Sequence, residues 1–143
     1  MHFGFRMEGN DILVAYPICP SEAVFGAQIV VSVDGPGRGD GFETRWRATG
    51  PRSDAVRRGV FVVGSGRSFE TETKPLTKRL PKAFYVDAIL GTRGHEVKGD
   101  EGSVDVDKLK SVKLGADEYR TSRGKTMTRA QINAQRTCPT KTG

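Results

Sequence analysis

An antiparallel β-sandwich is the architecture this chain predicts, on three observations. Valine outnumbers leucine by 14 to 6, glycine reaches 18 residues, and no helix-length pattern separates the short apolar stretches. Those stretches alternate with period two and are punctuated by turn residues every ~8 to 12 positions, the spacing of about seven or eight short strands. β-Branched side chains suit a pleated surface and glycine supplies the positive φ of tight turns. At 143 residues the chain supports one core, large enough to bury roughly two-thirds of its unfolded surface without disulfides or metals.

Along the chain, Phe3, Phe5 and Met7 alternate with Gly4, Arg6 and Glu8, and the Gly9-Asn10-Asp11 turn leads into the apolar run Ile12 to Tyr16, which predicts a hairpin. Pro17 and Pro20, around Cys19, close it by removing ladder donors. In Val24 to Val33 the odd positions are apolar, while Gln28 and Ser32 mark the other face. Asp34 to Gly41 carries four glycines and a proline, a loop composition. Phe42, Thr44 and Trp46 then alternate with Glu43, Arg45 and Arg47, which puts the only tryptophan on the inner face. Thr49 to Arg58 predicts a loop, Val60 to Val63 a buried strand, Phe69 to Thr73 an alternating strand, and Ala83 to Leu90 a strand with Phe84, Val86, Ala88 and Leu90 inward. Val104 and Val106 alternate with Asp105 and Asp107, and Leu109 to Leu114 predicts a last strand or the second arm of a hairpin.

An apolar strand, a strand with an inward Trp46 and a late strand bearing Tyr85 form an order that is similar to immunoglobulin-like and fibronectin-like sandwiches. The resemblance implies architecture alone. The cysteine pair of true immunoglobulin domains is absent, so no site residue carries over.

Charge divides the chain. The last 23 residues hold Arg123, Lys125, Arg129, Arg136 and Lys141 with no acid, so +5 of the formal +6 lies there. Residues 1–115 read as the sandwich domain and 116–143 as a basic, largely irregular C-terminal extension. Within it, Thr128 and Gln131 have the spacing of a capping box and predict a short helix at 129–135. Two turns alone are marginal in water, so the arm is expected to order on binding.

The supply of catalytic groups is thin. His2 and His95 are the only histidines, Cys19 has no neighbouring cation to activate it, and Cys19 and Cys138 are expected as reduced thiols rather than a bridge. No ligand spacing for a metal is present and no cofactor is predicted. The glycines at 35, 37, 39 and 41 join strand to strand and so lack the helix a dinucleotide fingerprint must open, and Arg38-Gly39-Asp40 reads as a glycine-rich turn. Gly124-Lys125-Thr126 ends like a P-loop, but Tyr119 stands where its first glycine belongs. Asp105 and Asp107 read as a solvent-facing strand edge rather than a calcium site.

The leading expectation is therefore a non-enzymatic protein-interaction or structural assembly module, in which loops and basic arm contact a protein partner or a larger assembly. Candidate contact residues are Arg123, Lys125, Arg129, Arg136 and Lys141 in the arm, with Arg45, Arg47, Arg57 and Arg58 in the domain. The alternative is nucleic-acid binding through the same cations, and a second alternative is a small enzyme using Cys19 or His95. A homo-oligomer is compatible with any of these. With no export segment visible and no apolar run near the ~18 residues of a membrane span, the expected setting is cytoplasmic.

Overall fold

The computed structural model describes residues 2–33 and 41–138. The glycine-rich stretch 34–40, with its Arg-Gly-Asp tripeptide, and Lys141 lie outside the described residues. Strands β1 (Gly4–Glu8) and β2 (Asp11–Ala15) form the expected hairpin, with Phe5 opposite Val14 and Glu8 opposite Asp11. Next come β3 (Val24–Val33), β4 (Gly41–Pro51), a helical turn α1 (Asp54–Arg57), β5 (Val60–Val63), β6 (Phe69–Lys74) and β7 (Ala83–Thr92). The chain continues through β8 (His95–Asp105), α2 (Val106–Lys110), β9 (Glu118–Arg120), β10 (Thr126–Thr128) and α3 (Arg129–Ala134). Two antiparallel five-stranded sheets result, one ordered β10-β9-β1-β2-β5 and the other β6-β4-β3-β7-β8.

The predicted alternation is what packs the sheets together. Phe3, Phe5, Val14 and Phe61 from the first sheet meet Ala27, Ile29, Trp46, Phe69, Phe84 and Val86 from the second. Trp46 is fully buried, and its indole N–H donates to the Glu72 carboxylate at 2.8 Å, so the polar atom of the largest core residue is satisfied. Phe69 bridges the layers, its ring 6.3 Å from that of Trp46 and 5.7 Å from that of Phe61.

Three expectations are corrected. The stretch from Thr49 to Arg58 is not all loop: β4 runs to Pro51, and Ser53 caps α1 by accepting from the Val56 N–H at 3.3 Å. Leu109 to Leu114 forms no strand. Asp105 caps α2 instead, accepting from the Lys108 N–H at 3.2 Å, and Val106 and Leu109, three apart, turn toward the core. Ahead of it, β8 is a full edge strand whose inward places are filled partly by glycine: a Cβ on Gly102 would lie 2.7 Å from the Phe3 ring.

The third correction concerns the C-terminal stretch. Residues 118–138 are built into the sandwich: β9 pairs with β1, β10 pairs with β9, and α3 lies on the outer face of the same sheet. There Ile132 and Tyr119 pack on Ala15 in a second small core, and Gly4 has no room for a side chain, since a Cβ would sit 2.4 Å from Ile132 Cδ1. The capping box is present, with Thr128 Oγ1 accepting from the Gln131 N–H at 3.2 Å and Gln131 Oε1 from the Thr128 N–H at 2.8 Å.

Candidate binding cleft

The ordered C-terminal stretch sorts its own cations. Arg129 is half-buried and donates to the Arg58 carbonyl oxygen; burial pushes its guanidinium pKa below the ordinary arginine range. Arg136 pairs with Glu22 at 2.8 Å, and the other Glu22 oxygen accepts from the Cys19 N–H at 3.0 Å. Arg58 in turn donates to the carbonyls of Pro20 (3.4 Å) and Glu22. Asn133 accepts from the Ile18 N–H at 3.2 Å, and Gln135 holds both backbone groups of His2 at 2.9 Å. These groups fasten α3 to the elbow between β2 and β3, to Arg58 ahead of β5 and to the backbone of His2.

Cys19 and Cys138 close that fastening as a disulfide, with Cα atoms 5.5 Å apart, which overturns the expectation of reduced thiols. The strands and helix before Cys138 carry it back across the sheet, a long-range approach that spacing along the chain does not reveal. A Cys19 held in the bridge offers no free thiol. His95 opens β8, exposed and opposite Thr92. Among the described residues no three His, Cys, Asp or Glu side chains are grouped to hold a metal.

The domain arginines do not share one site. Arg45 pairs with Glu43 at 3.2 Å, while Arg47 is exposed farther along β4, opposite Gln28 and Lys74. Arg57 is exposed at the end of α1 beside a separate cleft with Arg93 and Glu70. Arg58 is spent on the elbow between β2 and β3.

The other two arm cations stand differently. Between β9 and β10 the chain turns tightly: the Thr121 N–H donates to the Lys125 carbonyl at 2.8 Å, the Lys125 N–H donates to Thr121 Oγ1 at 3.1 Å, and Gly124 adopts φ of 80°, open to glycine. This turn forms one wall of a cleft of about 300 Å³ whose other wall is α2. Arg120, Thr121, Ser122 and Arg123 face Lys108 and Asp105 across it, over a floor of Phe5, Val104 and Leu109. Arg120 donates to Thr126 Oγ1 at 3.2 Å, and among the described residues none of Lys108, Arg120, Arg123 and Lys125 has an acidic partner within 4.0 Å.

His2 senses the resulting field. Burial first, then Arg123, the chain's amino group and Lys125, hold its imidazole below the ordinary histidine pKa. Of the predicted contact residues, Arg123 lines the cleft, and Lys125 follows it in the same turn, where it acts on His2. Sequence reasoning does not reach Lys108 and Arg120. Lys108 lies in α2, where the alternation predicts strand; Arg120 has a local signal, its place one step from the buried Tyr119.

The chain matches no family model, no curated protein and no solved structure.

Proposed function

We propose that this protein is a non-enzymatic interaction module that grips an acidic group of a protein partner, within a larger assembly, at the basic cleft. One observation carries the reading: three cations, Lys108 from α2, Arg120 from the end of β9 and Arg123 from the β9–β10 turn, line one cleft without acidic partners among the described residues. Unpaired like charges repel, an arrangement that an anion relieves. The Cys19–Cys138 bridge supports an oxidising setting over the cytoplasm that the sequence suggested. Among the described residues no helix is long and apolar enough to cross a membrane.

Nucleic-acid binding is the second reading, and the same cations favour it. With Arg58, Arg129 and Arg136 committed to the fold, the three cations that line the cleft contribute about −3 to the slope of log K against log salt. Calorimetry of the full chain with a glutamate-rich peptide and with duplex DNA, across a salt series, separates the two. Peptide binding that is lost in Arg123→Gln supports the module. DNA binding with that slope and no peptide binding would replace it, and failure of both ligands at low salt would remove both.

A further inference from the structure

We infer that the cleft is a receptor for a phosphomonoester carried on an apolar stem. This rests on the binding-module reading and specifies the acidic group. The first argument is charge. Lys108, Arg120 and Arg123 against Asp105 leave the cleft with a net +2, which a phosphomonoester dianion balances and a carboxylate or sulfate monoester half balances. Asp105 Oδ1 also caps α2, accepting from the Lys108 N–H at 3.2 Å. The second is donor geometry. Two guanidinium forks separated by two hydroxyl residues, Thr121 and Ser122, offer several N–H and O–H donors, and the three terminal oxygens of a phosphate accept from more of them than the two of a carboxylate. The third is the floor. Phe5, Val104 and Leu109 are apolar and buried, so the group that carries the phosphate and reaches inward is hydrocarbon or an aromatic ring. A volume of about 300 Å³ suits one such group.

The test uses three ligands with one carrier: phenyl phosphate, phenyl sulfate and benzoate, titrated calorimetrically into the full chain at low salt and pH 7.5. Phenyl phosphate is expected to bind at least ~10-fold more tightly than the other two, because a second ionic charge adds charge-assisted hydrogen bonds. That advantage should shrink as pH falls through ~6, where the dianion takes up a proton. Arg123→Gln and Lys108→Gln, both exposed, should each weaken phenyl phosphate ~10-fold or more while the thermal midpoint stays put. In NMR the His2 imidazole should titrate higher with phenyl phosphate bound. Equal affinity for the three ligands, no binding of phenyl phosphate, or binding indifferent to both variants overturns the inference.

Two further arms separate the sources and the premises. A phosphotyrosine peptide that binds while phosphatidic acid vesicles do not supports a protein source; the converse keeps the phosphomonoester and overturns the protein partner. A glutamate-rich peptide that binds through Arg123 while phenyl phosphate fails leaves the module standing and removes this inference alone.

Discussion

Two stretches of the C-terminal region, adjacent in sequence and similar in charge, do opposite things. From Thr128 to Cys138, Arg129 and Arg136 are tied to Arg58 and Glu22, Ile132 is buried, and a disulfide holds the end. From Arg120 to Lys125, Arg120 and Arg123 line a cleft and Lys125 follows, with no acid paired to any of them among the described residues. Net charge describes both stretches equally and explains neither. What separates them is where each guanidinium ends: against a carbonyl or carboxylate of the fold, or at an opening.

The largest test of this contrast breaks the first stretch. The Cys19–Cys138 bridge spans 119 positions, and in the chain-entropy account closing so long a loop in the unfolded state is worth about 5 kcal/mol. The double variant Cys19→Ser, Cys138→Ser should lose much of that in denaturant unfolding, a large share of a domain's total stability. Wild-type stability in that variant would mean the bridge does not form in the protein.

Ile132→Ala comes next. The side chain is fully buried against Ala15 and Tyr119, and truncation of a buried isoleucine costs about 2 to 5 kcal/mol. The second core is small and lies on an outer face, so the lower half of that range is expected. Amide exchange should place the loss in β9, β10 and α3, whereas loss spread evenly through β3 and β7 would mean the stretch has no separate stability. Thr128→Ala removes one half of the capping box and should cost about 1 kcal/mol.

These tests also mark what the sequence makes legible. β3 and β7 are readable because their inner positions carry apolar residues in alternation, as in Phe84, Val86, Ala88 and Leu90, and β2 and β5 because they are continuous apolar runs between turn residues. β8 is not, since Gly99 and Gly102 hold inward places that the pattern expects to be apolar, and the pleat there is filled from across by Tyr16 and Phe3. The capping box is legible because it is wholly local. β9 and β10 are hidden by their length, three residues each, with Tyr119, packed under α3, their one buried residue. The cleft is half legible: Arg123 stands out by charge, but Lys108 joins it only once α2 is known to be a helix, and the disulfide depends on a return path that no local signal encodes.

His2 offers the finest comparison, because both stretches reach it. Gln135 holds its backbone at 2.9 Å, while Arg123 and Lys125 act on its ring. Burial is the first cause of its lowered pKa and the two cations of the turn add to it. Its folded pKa lies below the unfolded value, so the unfolded chain binds the proton more readily. His2 therefore costs stability as pH falls from the ordinary value near 6.5 through the lowered one, and costs nothing above it. Arg123→Gln should raise the His2 pKa in NMR titration and shrink that acid-side loss, with stability at pH 8 within about 0.5 kcal/mol of wild type. Gln135→Ala should act through the other stretch: it frees the backbone of His2, and the ring's pKa should return toward 6.5 as burial is lost. If Arg123→Gln left the pKa unmoved while Gln135→Ala shifted it, the turn would not reach His2, and the field ascribed to the cleft would have to be drawn smaller.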